Sequence, residues 1–297
     1  MRVLLFTISL ILIIKGFSQD LVPNKSIFDK EIELSIEYLN TTMSQSEGLE
    51  LEIDTNEYLS YKAFVKPQEN DNYAVSLTEF IPKMEFSNFE SLNALYYDFI
   101  KEQQYDFECD FRMSNPKIDN LDYISELSEK YKPKIDKAKT DLHINPSNNM
   151  VYYKDVSIPK ENLEIINKCI ILLSPIFEGY TINLTKGYDY PHEVHLSHLN
   201  ISLNDTLFYK TKSLSNEIQQ IEICVHSDSD EIKKVLIDDS DSENTEASIE
   251  KLEIFNSIKY NIDKTSGKII RISIKSGMNS SSEGYEMNLE YRIKYGG

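Results

Sequence analysis

The sequence predicts an α+β protein that is mainly β, with curved antiparallel sheets in two halves and about three packed helices. Three observations lead there. Many segments alternate apolar and polar residues with period two, which makes strands with one buried and one wet face, and such strands pair antiparallel. Only three stretches carry helical spacing. No strand–helix alternation runs along the chain, which argues against a Rossmann-like or barrel enzyme scaffold.

Residues 1–18 read as a secretory signal peptide. Arg2 precedes an apolar run from Val3 to Ile14, which Lys15-Gly16 breaks. That run is too short to span a bilayer and suits the apolar region of a cleavable signal. Gly16 and Ser18 supply small residues ahead of a cut before Gln19. No later stretch is long and apolar enough to cross a membrane. The expected destination is periplasmic or extracellular.

Residues 19–140 form an expected N-terminal antiparallel half with two helices. "EIELSIEYL" alternates through Ile32, Leu34, Ile36 and Tyr38, and "LELEI" through Leu49, Leu51 and Ile53. "EYLSYKAFV" and "YAVSLTEFI" flank the loop "KPQENDN" and predict a long hairpin. Ser87 and Glu90 have capping-box spacing ahead of Leu92, Leu95, Tyr96, Phe99 and Ile100, a helical stripe. "YDFECDFR" alternates strictly and places Tyr105, Phe107, Cys109 and Phe111 on one face. "NLDYISELSEKYK" predicts a second helix ending at Pro133.

Residues 141–158, polar and punctuated by proline, read as a linker. Residues 159–297 form the expected C-terminal half. Its helix runs from about Pro159 to before Pro175 and carries Cys169 on its apolar face. Strands follow in "GYTINLT", "EVHLSHLNISL", "TLFYKTK", "IQQIEICVH", "KKVLID", "KLEIFNSIKYNI", "GKIIRISIK" and "YEMNLEYRIKY", with a turn at Asp263–Gly267.

The formal net charge is −18, and loss of Arg2 and Lys15 with the signal makes it more negative still. Such a chain repels phosphate backbones, so nucleic acid is not an expected partner. The 3 cysteines allow at most one disulfide and no disulfide framework.

The ending "GFSQ" of the signal resembles those of exported Bacteroidota proteins. "NYAVSLTEFIPKMEF", "NPKIDNLDYISELSEKY" and "YNIDKTSGKIIRISIKS" resemble an uncharacterised β-rich family of such proteins. The chain departs from it by long inserts, including residues 87–104 and an acidic loop at 238–250. The resemblance implies an envelope location and brings no catalytic residues.

"YPHEVHLSHLN" spaces His192, His195 and His198 by three, which is not the HExxH of zinc proteases. On one regular strand His192 and His198 stand roughly 20 Å apart, too far to share a metal. The apolar residues switch from even positions (Val194, Leu196) to odd ones (Leu199, Ile201, Leu203), so a single strand requires a bulge near Ser197-His198. That bulge would bring together His195 and His198. Cys224 and His226 share the wet face of a later strand and complete a possible four-ligand set in the right register. A solvated polar face is the simpler expectation. In "DDSDSENTEASIE", Asp239, Asp241, Glu243 and Glu250 echo a calcium loop, but Asn244 replaces its glycine. A solvated hairpin loop is expected.

No GxSxG, CxxC or phosphate loop is present. No catalytic, cofactor or metal residue is therefore assigned, and no cofactor is expected. The sequence favours a non-enzymatic binding or envelope-associated protein whose partner is another protein or an apolar ligand such as a lipid. The alternatives are a secreted hydrolase with a dispersed carboxylate pair, or a surface interaction module.

Overall fold

A computed structural model describes residues 23–45, 52–83, 89–113, 116–143, 161–182, 189–196, 201–227, 253–279 and 284–296. The α+β, mainly β class is what it shows: antiparallel strands and three α-helices among the described residues. By internal contacts the chain forms two units. A helix-bearing unit takes the described parts of Ser26–Tyr38, Glu57–Phe177 and Ile293–Gly297. A ladder unit takes those of Met1–Lys25, Leu39–Asn56 and Glu178–Arg292. The dividing points thus differ from the sequence-predicted halves, and most of the expected linker 141–158 lies outside the described residues.

The helix-bearing unit holds the first part of β1 (Ile32–Gln45) and most of β2 (Glu52–Pro67), whose residues between Leu39 and Asn56 belong to the ladder unit, with β3 (Asn72–Pro82), β4 (Tyr105–Asp110) and the short β5 (Lys117–Ile118). They lie in the order β5-β4-β3-β2-β1. The predicted β2–β3 hairpin closes through a 3-10 turn at Glu69–Asp71, with Gln68 N–H donating to Asn72 O at 2.8 Å. Asn70 and Asp71 both have φ of 60°, a left-handed conformation that these residue types tolerate. Buried positions in β3 are Tyr73, Val75 and Leu77, then Phe80. A bulge makes the switch: Ser60 pairs with Ile81 and Lys62 with Thr78, leaving two residues opposite Tyr61. One of them, Glu79, has φ of 54°; the other, Phe80, stacks on Tyr61 at 5.4 Å between ring centroids.

Strand β4 is as predicted. Tyr105, Phe107 and Cys109 are buried and the residues between them are not. Burial pushes the Cys109 thiol up to about 12, with the charge of Asp110 adding to it.

Helix α1 (Glu90–Lys101) buries Leu92, Tyr96, Phe99 and Ile100 along one stripe. Phe89 occupies the cap position without a side-chain hydrogen bond, and Ser87 of the expected capping box lies outside the described residues. Glu90 instead stands in the first turn, where its carboxylate still meets the positive end of the helix dipole.

Two prolines expected to end helices lie inside them. Helix α2 (Leu121–His143) continues through Pro133. The buried stripe Ile124, Leu127, Tyr131 carries on to Ile135, which is 1% exposed, so tertiary burial outweighs the lost hydrogen bond. Pro133 and Glu129, whose carbonyl loses its donor, both face outward, where water can substitute. Helix α3 (Asn162–Gly179) likewise runs through Pro175, and it starts later than Pro159. Near Pro175, the Tyr61 hydroxyl donates to the carbonyl of Leu172 at 2.6 Å. That carbonyl is next to the one of Ile171, whose i+4 donor Pro175 removes. Cys169 is buried on this helix, as expected.

The rings of Phe28, Tyr73, Phe111 and Phe177 close the core of this unit. Phe177 stacks on Phe111 at 4.8 Å and meets Phe28 edge-on at 5.3 Å.

The ladder unit contains β6 (Asp189–Leu196), β7 (Ile201–Ser213), β8 (Ile218–Ser227), β9 (Glu253–Asp263), β10 (Ile269–Asn279) and β11 (Gly284–Tyr295), whose last residues belong to the other unit. Their order is β11-β10-β9-β8-β7-β6, antiparallel throughout. The predicted turn after β9 forms. Gly267 has φ of +67° and donates its N–H to Asp263 O at 2.8 Å, while the Asp263 carboxylate accepts from Ser266 N–H at 2.7 Å. The start of "GYTINLT" is not a strand. Gly179 ends α3, and Tyr180–Thr181 make a turn whose Tyr180 hydroxyl accepts the N–H of Ile269 at 2.9 Å. A β-carbon on Gly179 would lie 2.5 Å from both Ile269 Cδ1 and Tyr260 Cε1, so this close approach requires glycine.

Candidate functional site

The ladder unit sorts its residues by face. Register places Ile221, Tyr260, Ile272 and Tyr291 in one row across β8, β9, β10 and β11. Ile223, Ile258, Ile274 and Leu289 form the next row. Every one of these eight side chains is at most 4% exposed. The register extends the rows into β7, where Tyr209 stands opposite Ile223 and Thr211 opposite Ile221. Period-two alternation produces this directly, because paired residues on neighbouring antiparallel strands share a face.

The opposite face is a ladder of charges. Lys259 pairs with Glu222 at 3.2 Å, Lys275 with Glu286 at 2.6 Å, and Arg271 with Glu290 at 2.7 Å. Burial raises the carboxyl groups of Glu286 and Glu290. Hydrogen bonds from Lys275 and Asn288, and from Arg271 and Arg292, overcome it and hold both below the usual carboxylate range. Carboxylates held ionised by cations suit ion pairing and not proton donation. Among the described residues the ladder unit has no helix beyond Glu178–Gly179, the end of α3. The site is thus a sheet with one apolar and one ionic face.

The histidine stretch is a hairpin and not one bulged strand. β6 and β7 pair with Val194 opposite Leu203 and Leu196 opposite Ile201. The change of parity that suggested a bulge is the chain reversing direction, after which the same face continues at odd positions. His198 lies outside the described residues, as does the acidic loop 238–250 with Asp239, Asp241, Glu243 and Glu250.

The register separates the other candidate ligands. His195 stands opposite Ser202, while His226 stands opposite Thr206 and Cys224 opposite Phe208. The backbone positions of His195 and His226 are thus four residues apart along β7, about 13 Å, and two strand spacings apart across it. A single zinc, with ligands at roughly 2 Å, cannot join those backbone positions. His192 stands opposite Asp205. Cys224 is half-buried, and its thiol is raised by burial and by Glu222. Among the described residues no group of three or more His, Cys, Asp or Glu is placed to hold a metal ion. No described helix is long and apolar enough to cross a membrane.

No protein-family model matches the chain, and no curated protein matches it. Among solved structures it is similar to lipovitellin, in a structure titled for its lipid–protein interactions, with a TM-score of 0.38 and 6% identity over 89% of this chain. The chain spans 25% of the length of that lipovitellin chain. It is also similar to a domain described as an outer membrane lipoprotein-sorting protein domain from Vibrio parahaemolyticus, with a TM-score of 0.18 and 6% identity, covering 89% of this chain and 86% of the other. At these scores the likenesses carry no argument, and function rests on the chain's own residues.

Proposed function

We propose that the chain is an exported, non-catalytic binding protein of the bacterial envelope that holds an apolar ligand, most concretely a lipid acyl chain, on the apolar face of the ladder unit. The observation that supports this reading is the pair of apolar rows, Ile221–Tyr260–Ile272–Tyr291 and Ile223–Ile258–Ile274–Leu289, backed by a face of ion pairs. These eight side chains are at most 4% exposed, so a hydrocarbon chain would take the place of what covers them and gain area-proportional stabilisation on a wall four strands wide. The ion pairs on the other face keep Glu222, Glu286 and Glu290 occupied, which disfavours a carboxylate-pair hydrolase there. The signal-like start of the sequence supports an envelope location.

The test is organic extraction of the purified protein followed by mass spectrometry, with titration of a fluorescent fatty-acid analogue. Co-purified acyl lipids and saturable binding of the analogue are expected. Ile274→Ala on the apolar face weakens that binding, and Lys275→Ala on the ionic face does not. Absence of saturable binding, or equal effects of both substitutions, refutes the reading.

A further inference from the structure

The apolar face of the ladder unit is not apolar throughout. One row beyond Ile223–Ile258–Ile274–Leu289, register sets Asn256 on β9 opposite Ser276 on β10, and Ser276 opposite Met287 on β11. Alternation keeps this row on the same face as the isoleucines. Ser276 is 2% exposed. Its hydroxyl oxygen and the Asn256 amide oxygen are both buried without a hydrogen-bond partner. On β1, the strand beside β11, Asn40 Oδ1 is a third such oxygen, and Asn40 shares its strand face with the buried Thr42. Buried polar atoms without partners are uncommon in folded proteins and cost stability. A wall made for hydrocarbon alone would carry alkyl groups at these positions.

The two ends of the face differ. Next to Gly179 the chain closes over it: Ile269 and Tyr260 approach the glycine closely, and the Tyr180 hydroxyl accepts the N–H of Ile269 at 2.9 Å. The row of Asn256 and Ser276 lies towards the other end, with Ser276 about 13 Å along β10 from Ile272. The unmatched atoms there are amide oxygens, which only accept, and one hydroxyl, which can do both. A complementary group has to donate. None of the residues that β9, β10 and β11 place in these three rows is charged. An anionic head would therefore lie against amide oxygens with no cation in its row to balance it.

We infer, building on the apolar-face reading above, that the ligand is an uncharged amphiphile of the monoacylglycerol class. Its acyl chain lies along the two apolar rows in place of what covers them, and its hydroxyl groups donate to Asn256 Oδ1 and Ser276 Oγ. One molecule of that class matches both the hydrocarbon wall and the unmatched oxygens at its end. A free fatty acid matches only the wall.

The experiment is titration calorimetry of the purified full chain with monolauroylglycerol and with sodium laurate, each below its micelle concentration and at a pH where laurate is ionised. Monolauroylglycerol is expected to bind saturably, and laurate about tenfold more weakly. Ser276→Ala removes an unmatched oxygen, so without ligand the variant should melt no lower than the parent protein. Ser276→Ala and Asn256→Leu should each bind monolauroylglycerol about tenfold more weakly and laurate as the parent does. Laurate binding as tightly as monolauroylglycerol overturns the head-group assignment and leaves the apolar-face reading standing. Undiminished monolauroylglycerol binding by both variants does the same. Equal loss of both ligands in both variants shows that these oxygens serve the sheet and not the ligand, and also overturns the assignment. Binding of neither probe by the parent protein overturns both readings.

Discussion

In the helix-bearing unit, rings from four separate stretches of chain close on one another: Phe28, Tyr73, Phe111 and Phe177. In the ladder unit the buried side chains are mostly isoleucines and tyrosines in register on neighbouring strands. The first core is assembled by docking elements far apart in sequence. The second arises from strands that are successive in sequence, each row reading across the sheet. A core of the first kind depends on a few large side chains with many partners. One of the second kind distributes its stabilisation over many similar contacts. The helix-bearing core packs rings from separate elements, whereas the ladder unit repeats apolar rows from strand to strand.

Substitutions sharpen this contrast. Phe177→Ala removes the ring that stacks on Phe111 at 4.8 Å, and should cost about 3–5 kcal/mol in denaturant unfolding. Hydrogen exchange should show the loss first in β2, β3 and β4. Gly179→Ala places a methyl group 2.5 Å from Ile269 Cδ1 and Tyr260 Cε1, and should cost about 1–3 kcal/mol as the ladder unit shifts to admit it. A melting temperature equal to the parent's would show that the Tyr260 ring moves freely. Ile274→Val, in the middle of an apolar row, should cost about 0.5–1.5 kcal/mol. If it costs as much as Phe177→Ala, the ladder unit has a keystone after all and the comparison fails. Arg271→Ala on the ionic face breaks a pair whose arginine is 46% exposed, and should change stability by about 1 kcal/mol or less, fading with added salt.

One pH effect belongs to the helix-bearing unit. Glu102, just after α1, accepts from Lys130 Nζ at 2.6 Å and from the Tyr131 hydroxyl at 2.7 Å. The Lys130 bond first, and then that of Tyr131, hold its carboxyl below the usual range. A depressed carboxyl stabilises the fold above its unfolded value, near pH 4, and that contribution disappears as pH falls through the folded value. Acid titration followed by exchange in α1 and α2 should show their protection declining there. Glu102→Gln should flatten the dependence, leaving the ladder unit unaffected.

Strand faces were legible in the sequence because alternation is a local property. Tyr105, Phe107 and Cys109 are buried as expected, and so are Leu34, Ile36 and Tyr38. Helix ends were less legible. Pro133 and Pro175 are strong local stop signals, but Ile135 and the Ile176–Phe177 pair gain burial by continuing the helices past them. That gain depends on partners distant in sequence. The histidine stretch shows how a correct observation can carry the wrong explanation. The parity change after Leu196 is real, and a hairpin produces it as readily as a bulge. The absence of glycine or proline between Ser197 and Asn200 removed the usual turn signal. The polar row at Asn256 and Ser276 had no sequence signature, since an unpartnered amide is defined only by what surrounds it.

Gly296 N–H donates to the carbonyl of Glu33 at 2.8 Å, joining the end of β11 to the start of β1. About 260 residues separate these partners. Strand β1 therefore waits for its second neighbour until nearly everything between has been synthesised, on the order of ten seconds or more at roughly 5–20 residues per second. For that interval one edge of β1 remains open to pairing with other chains. The late closure also makes folding slow for its size, as non-local strand pairing does in general. A chain cut before β11 would retain its helices yet carry a permanently exposed strand edge, and would tend to aggregate.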